Sequence, residues 1–116
     1  MDRFVVGDVV IVRFPFSDLS SHKVRPAVVV AQGEFDNLIL CQITSKPYTS
    51  QRAISLTDSD FSTGGLPVTS YVRPDKLFTA ERLIIQKRAG QLTKSSREHI
   101  LGCVRRLFEN ASKTHN

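Results

Sequence analysis

The sequence predicts a mainly β protein, a small barrel-like fold with one appended C-terminal helix. Short runs rich in Val, Ile and other strand-forming residues recur between residues 5 and 87. Gly, Pro, Asp and Ser residues separate these runs at close spacing, as turns do. After residue 95 the apolar residues change to helical spacing. Six short strands followed by one helix therefore indicate a compact β barrel closed by that helix.

The first two predicted strands enclose a polar loop. Val5–Phe16 is rich in β-branched residues and contains an early turn or bulge at Gly7-Asp8. Residues 17–24 are dense in Ser and charged side chains, which predicts a loop. Pro26–Ala31 is apolar on both faces, which predicts a central strand.

The third strand is predicted at Leu38–Thr44, and the short turn before it indicates an antiparallel hairpin with the second strand. A loop covers residues 45–51 and an irregular connection covers residues 58–68, because both are rich in Gly, Pro or polar residues. The remaining three strands are predicted at Arg52–Thr57, at Ser70–Arg73, where Pro74 stops the strand, and at Leu83–Lys87.

The C-terminal helix has an N-terminal signal and an apolar stripe. Ser95 and Glu98 have the spacing of a capping box. One helical face then carries a set of apolar side chains that should cover the sheet: Ile100, Leu101, Val104, Leu107 and Phe108.

Length and composition indicate a single domain spanning residues 1–116 and located in the cytoplasm. The chain has 116 residues, of which 41% are hydrophobic and 23% charged, the balance of an ordinary globular domain. No run approaches the roughly 18 apolar residues that span a bilayer. The N-terminus has an early acidic residue and lacks a small-residue cleavage site, so it does not resemble a secretory signal.

The distribution of charge and the positions of the cysteines limit which partners the protein can bind and whether it can use a disulfide or a metal. Residues 1–72 hold 6 Lys/Arg against 7 Asp/Glu, whereas residues 73–116 hold 10 against 4. The basic second half suggests a polyanion or an acidic protein as partner, or merely a solvated surface. Cys41 and Cys103 are predicted to be unpaired thiols. No Cys or His pair has ligand spacing, so we expect neither a metal nor another cofactor.

The sequence predicts an anion site at one end of the predicted hairpin. Arg25 precedes the second strand and Thr44 ends the third, so antiparallel pairing makes them neighbours. A guanidinium presents a fork of donors that matches phosphate oxygens, and a hydroxyl can donate to a third oxygen. An Arg before Pro at a strand start is, however, often only a solvated charge. The residues alone thus support an anion-binding β domain.

Several segments, taken together, resemble the MazF/PemK family of toxin endoribonucleases. The stretch GDVVIVRFPFSDLSSHKVRPAVVV is similar to the N-terminal motif of the family, and CQITSK to its second motif. SYVRPDKLFT, LIIQKRAGQL and the terminal helix are similar to the downstream part of many members. The chain departs from a common pattern at Gln42, where many members have Pro.

The resemblance implies an SH3-like β-barrel of the MazF/CcdB type that forms a homodimer. It implies metal-independent cleavage of single-stranded mRNA at short sequences, by attack of the 2′-hydroxyl on the adjacent phosphate. The products would be a 2′,3′-cyclic phosphate and a 5′-hydroxyl, and translation and growth would stop. The catalytic Arg and Thr of the family correspond to Arg25 and Thr44. The partner of such a toxin is a cognate antitoxin with an acidic, disordered segment.

Further RNA contacts are expected from the two polar loops and their flanks, because unstacked bases are held by polar groups and aromatic faces. The candidates are Phe16, Ser17, Ser20, Ser21, His22, Lys23, Ser45, Lys46 and Tyr48. Two other functions remain open. A gyrase poison of the CcdB type shares the fold, although its Trp-containing tail has no counterpart here, and a non-catalytic RNA-binding barrel is the second.

Overall fold

A computed structural model describes residues 3–14, 23–47 and 50–114 of the chain. Within them, a seven-stranded antiparallel sheet curls into a half barrel, and one C-terminal helix packs against it. This confirms the predicted fold class. The elements are β1 (Asp8–Phe14), β2 (Lys23–Gln32), β3 (Asn37–Thr44), β4 (Ile54–Leu56), β5 (Phe61–Gly64), β6 (Ser70–Glu81), β7 (Ile85–Leu92) and α1 (Lys94–Thr114).

The strand order is β4-β6-β3-β2-β1-β7-β5, so β2 is central, as predicted. Val28 of β2 lies opposite Val9 of β1 and opposite Cys41 of β3. The β2–β3 hairpin is antiparallel, also as predicted. Since β2 is paired along both edges, the strand that carries Arg25 is fixed from both sides.

Both faces of the sheet are covered, which explains the continuous apolar runs of the central strands. Alternate residues of β1 point to opposite sides. Val10 and Val12 join one apolar cluster with Phe4, whereas Val9 joins the other, together with Ile100 of α1. The three valines are fully buried. Burial of such side chains contributes about 1.5–3 kcal/mol each and fixes the strand positions.

The helix begins two residues earlier than the predicted capping box. The Oγ1 of Thr93 accepts a hydrogen bond from the backbone N–H of Ser96 at 3.1 Å, which makes Thr93 the cap. Ile100 is buried, and Leu101 and Val104 pack against the same cluster. Phe108 is 59% exposed, so the packed stripe ends before it and the prediction for this residue is wrong.

Strand β6 is longer than predicted because Pro74 lies in a bulge. Leu77 pairs with Cys41, and the next pair joins Arg73 to Gln42, so residues 74–76 lie outside the ladder. A proline in a bulge removes no ladder hydrogen bond. The guanidinium of Arg73 binds the carboxylate of Asp75 across the bulge at 3.1 Å.

Strand β5 was missed because its glycines resemble a loop. Gly64 has a φ of 65° and pairs with Gly90 of β7. A Cβ on Gly90 would lie 2.6 Å from the carbonyl oxygen of Thr63, so the two strands approach too closely for a side chain there.

The first strand begins at Asp8 and not at the predicted Val5, because Gly7, at φ 96°, ends the preceding turn.

Candidate active site

A cavity of about 470 Å³ opens at the end of the β2–β3 hairpin. Its walls come from β1, β2, β3 and the connection between β5 and β6. The lining residues are Ile11, Val24, Arg25, Pro26, Ile43, Thr44, Ser45, Lys46, Leu66, Pro67, Val68 and Ser70. Two cations and three hydroxyl groups are present, and the described lining contains no carboxylate. We define this as the hairpin-end cavity.

Arg25 lies inside β2, where it pairs with Val12 of β1. The β2–β3 ladder ends at the pair of Ala27 and Gln42, so Arg25 and Thr44 each lie two residues beyond that pair, and both line the cavity. Arg25 is half-buried. In the part of the chain that the structure describes, its guanidinium has neither an ion pair nor a hydrogen bond. A cation held by a central strand and not neutralised by a carboxylate suits an anionic ligand.

Thr44 is the last residue of β3 and pairs with Tyr71 of β6. Its Oγ1 accepts a hydrogen bond from the backbone N–H of Lys46 at 3.1 Å. That bond uses an acceptor lone pair and leaves the hydroxyl proton able to donate. The geometry therefore fixes the oxygen of Thr44 while keeping its donor for a ligand.

Ser45 and Lys46 also line the cavity, and both are exposed. Lys23 belongs to β2 by its backbone, but its side chain lies outside the described residues. The other predicted RNA contacts also lie outside the described residues: Phe16, Ser17, Ser20, Ser21, His22 and Tyr48.

One wall of the cavity was not predicted from the sequence. The connection between β5 and β6 contributes Leu66, Pro67 and Val68, and Val68 is 58% exposed. The Oγ of buried Ser70 donates to the carbonyl oxygen of Val68 at 3.0 Å, which fixes this wall to β6. The Gly and Pro residues of the segment indicate a loop, but nothing in them shows that it reaches the hairpin end.

The Gly7-Asp8 pair of the N-terminal motif has a structural role. Asp8 is fully buried, and its carboxylate accepts hydrogen bonds from the backbone N–H of Val5 at 2.9 Å and from Gln91 at 3.0 Å. The Nε of Arg88 lies 3.0 Å from the same carboxylate, but its N–H is not directed for a hydrogen bond, so this contact is ionic. Asp8 thus joins the start of β1 to β7.

Neither described thiol belongs to the hairpin-end cavity. Cys41 and Cys103 are both unpaired, as predicted. Burial, assisted by the negative charge of Asp75, raises the pKa of the Cys41 thiol to about 12, so this residue is not a nucleophile at neutral pH.

Among the described residues, no group of three or more His, Cys, Asp or Glu side chains is placed to hold a metal ion. No helix in the described ranges is both long and apolar enough to cross a bilayer.

Comparison with known proteins identifies a family and confirms the fold. The family described as PemK-like, MazF-like toxin of type II toxin-antitoxin system matches residues 6–108. No curated protein matches the chain. An endoribonuclease from a Mycobacterial species, solved with its cognate antitoxin, superposes with a TM-score of 0.70 at 17% identity, over 92% of this chain and 96% of the other.

Two further solved structures agree with that result. MazE–MazF from Deinococcus radiodurans gives a TM-score of 0.68 at 16% identity, over 90% of this chain and 94% of the other. The Mycobacterium tuberculosis toxin MazF-mt6 gives 0.66 at 18% identity, over 88% and 96%. At these identities the likeness shows a common fold, a curled β sheet with a terminal helix.

Proposed function

Because the family match spans residues 6–108, the chain belongs to the PemK-like, MazF-like toxins of type II toxin-antitoxin systems, and we propose that it is an endoribonuclease that cleaves single-stranded RNA at the hairpin-end cavity. The observation that carries this proposal is the presence of Arg25 and Thr44 in one cavity whose described lining has no carboxylate. A phosphate of the RNA chain would meet two cations there, Arg25 and Lys46, and no carboxylate among the described lining residues.

The proposed reaction is an internal transesterification. The 2′-oxygen attacks the adjacent phosphorus and loses its proton, while the bond from phosphorus to the 5′-oxygen breaks and that oxygen gains a proton. The products are a 2′,3′-cyclic phosphate and a 5′-hydroxyl. Charge accumulates on the phosphate oxygens between these steps, so the main demand on the protein is a set of fixed donors.

We assign the donor roles to Arg25 and Thr44. The guanidinium of Arg25 would stabilise the developing charge with two parallel hydrogen bonds. The Thr44 hydroxyl, fixed by its bond from the Lys46 backbone, would donate to a third oxygen. A guanidinium normally stays protonated, so a role of Arg25 in proton transfer is the more demanding alternative. The intrinsic pKa of a histidine best suits proton transfer, but the family resemblance places no histidine at position 22, so we propose His22 as a loop contact to RNA.

The apolar wall of the cavity suggests where a base next to the scissile phosphate is held. Leu66, Pro67 and Val68 supply contact area without hydrogen-bonding side chains, so they would bind a base by its face. The loop residues predicted as RNA contacts, together with Ser45 and Lys46, would then provide the sequence preference.

The solved relatives support proposals about partners. Two of them were solved with an antitoxin. We extend this to an antitoxin with an acidic segment as the partner of this chain, which suits the basic balance of residues 73–116, 10 Lys/Arg against 4 Asp/Glu. We also propose a homodimer of single-domain chains that acts in the cytoplasm on mRNA.

Incubation of the purified protein with a long RNA in EDTA tests the activity. We expect cuts at a fixed short sequence, with cyclic phosphate and 5′-hydroxyl ends, and loss of cutting in Arg25→Ala. Arg105→Ala, an exposed arginine of α1 that does not line the cavity, is the matched control and should cut normally. Intact RNA together with trapped gyrase–DNA complexes would show a gyrase poison, and RNA binding without cuts would show a non-catalytic barrel.

A further inference from the structure

A second cavity, of about 420 Å³, adjoins the hairpin-end cavity. The two cavities share Leu66, Pro67 and Val68, so they lie side by side along this segment of the connection between β5 and β6. The rest of the second cavity is formed largely by the turn at residues 57–59, which follows β4. We call it the Asp58 cavity, after the acidic residue in its lining.

The two cavities carry opposite charges. Among the described lining residues, the hairpin-end cavity has Arg25 and Lys46 and no carboxylate, whereas Asp58 is the charged residue of the second cavity. A carboxylate only accepts hydrogen bonds, so it repels a phosphate and attracts an N–H group. An RNA strand that places its scissile phosphate beside Arg25 would therefore present a base, and not a phosphate, to Asp58.

The backbone that carries Asp58 is held by hydrogen bonds on both sides. The Oδ2 of Asp60 accepts one from the backbone N–H of Thr57 at 2.8 Å, and the hydroxyls of Thr57 and Ser59 lie 2.9 Å apart. The Oδ1 of Asp60 accepts another from Ser96 of α1 at 2.6 Å. The carboxylate of Asp58 itself is exposed and has neither a hydrogen bond nor an ion pair in the described part of the chain. A fixed backbone thus presents an acceptor that a ligand can use.

The apolar lining of the Asp58 cavity suits the face of a base. Leu56 is buried, Phe61 is a half-buried aromatic residue at the start of β5, and Pro67 lies on the side shared with the hairpin-end cavity. Unstacked bases of single-stranded RNA pack on aromatic and apolar side chains. The cavity therefore combines a surface for the ring of a base with an acceptor for its edge.

Guanine matches this acceptor better than the other three bases. Its N1–H and N2–H₂ groups are adjacent donors on the Watson–Crick edge, and the two oxygens of a carboxylate can accept from both at once. Adenine and cytosine each present an amino group beside an acceptor nitrogen, which a carboxylate repels. Uracil presents one N–H between two carbonyl oxygens. A free carboxylate thus selects guanine when the Watson–Crick edge is open, as it is in single-stranded RNA.

We propose that the Asp58 cavity is a guanine-binding subsite for a nucleotide close to the scissile phosphate, and that Asp58 determines part of the sequence specificity. The carboxylate of Asp58 accepts from N1–H and N2–H₂, while the ring packs on the apolar lining at Phe61 and Pro67. This inference rests on the proposed endoribonuclease function, because the guanine belongs to the strand that is cut. The recognised sequence should contain guanine at a fixed distance from the cut.

Selection from a random pool of short RNAs with 2′-fluoro groups tests recognition without cleavage, because the attacking hydroxyl is absent. RNAs retained by the wild type should have one position where guanine is enriched about tenfold over each other base, as expected for a hydrogen bond to a charged group. Asp58→Asn replaces one acceptor oxygen by a donor, so it should lose this preference and keep those at other positions. Asp36→Asn, the same change at an exposed residue outside the cavity, should select like the wild type.

Inosine in place of the selected guanine removes only the 2-amino group. Measured by anisotropy, the inosine RNA should bind the wild type about tenfold more weakly than the guanine RNA, whereas Asp58→Asn should bind the two RNAs about equally. The thermal midpoint of Asp58→Asn should equal that of the wild type, because the carboxylate has no partner among the described residues. A loss of selection would then reflect recognition and not folding.

Several results would overturn the inference. These are a wild-type selection without enriched guanine, an enrichment that persists in Asp58→Asn, and equal binding of the guanine and inosine RNAs to the wild type. Cleavage of a long natural RNA separates this proposal from the nuclease. Cuts without a guanine at a fixed distance would leave the nuclease and refute the subsite. Selection of guanine through Asp58 by a protein that makes no cuts would support the subsite and refute the nuclease.

Discussion

The Oγ1 of Thr44 accepts a hydrogen bond from the backbone N–H of Lys46 at 3.1 Å, at the point where β3 ends in the hairpin-end cavity. This bond fixes the hydroxyl and leaves its proton for a ligand. Thr44→Val keeps the shape but removes the donor, so we expect the cleavage rate to fall about 10²-fold, as when one oxyanion donor is lost. Thr44→Ser should retain most of the rate.

Single-turnover cleavage of a short RNA, together with the thermal midpoint, checks this prediction. The midpoint of Thr44→Val should change little, because the residue is only half-buried at a strand end. If Thr44→Val cleaved at the rate of the wild type, the hydroxyl would have no role in catalysis.

Arg25→Lys tests whether cleavage needs the planar guanidinium group or only a positive charge at this position. Lys keeps the charge but lacks the planar fork that binds two phosphate oxygens at once. We expect RNA binding to persist while the cleavage rate falls about 10²-fold or more. Binding by anisotropy and cleavage on the same RNA separate the two effects. A normal rate in Arg25→Lys would show that a point charge is sufficient there.

The buried carboxylate of Asp8 should be a large contributor to stability. Asp8→Ala removes the acceptor for Val5 and Gln91 and leaves the charge of Arg88 without its partner. We expect a loss of about 3 kcal/mol in the free energy of unfolding, measured in urea. Glu34→Ala, at an exposed turn residue, is the control and should cost below about 0.5 kcal/mol. An equal loss in both variants would contradict the assigned role.

The turn between β2 and β3 is strained and can be improved. Phe35 and Asp36 have φ values of 56° and 63°, and the N–H of Asn37 donates to the carbonyl oxygen of Glu34 at 3.0 Å, as in a type I′ turn. Asn-Gly is the preferred pair in this turn. The double variant Phe35→Asn/Asp36→Gly should therefore gain about 1 kcal/mol of stability. Chemical denaturation measures it, and a loss of stability would show that Phe35 makes a stabilising contact.

Asp60 should make stability fall in acid. Burial would raise its pKa, but hydrogen bonds from Ser96 and Thr57 outweigh that effect and hold the pKa below 3.8. Because the folded pKa is the lower one, the stabilisation is complete above pH 3.8 and is lost as the pH falls through the folded value. Asp60→Asn should be about 1 kcal/mol less stable at neutral pH, with the difference shrinking as the pH falls below 3.8. Urea unfolding across this range tests it, and a pH-independent difference would contradict it.

The sequence was sufficient for the elements with strong local patterns. The alternation and β-branched residues of β2 and β3 predicted the central hairpin, and this hairpin brings Arg25 and Thr44 to one end. Register follows from a short turn between two apolar strands, so both residues could be placed without long-range information.

Features that depend on distant contacts could not be predicted. β5 exists because Gly64 and Gly90 approach closely across the sheet, and Gly has no strand propensity of its own. β6 continues beyond Pro74 because residues 74–76 form a bulge in its pairing with β3. The apolar wall at Leu66–Val68 reaches the hairpin end only through the tertiary fold, so no local pattern indicated it.

The pairing of β1 with β7 has a consequence for biosynthesis. Asp8 lies opposite Gln91, so one edge of β1 stays uncovered until residue 91 has left the ribosome. The β2–β3 hairpin, by contrast, is complete once residue 44 has emerged. A nascent chain would thus hold both proposed catalytic residues long before it has a closed sheet. We expect ribosome-bound chains that stop before Ile85 to be sensitive to protease and inactive on RNA.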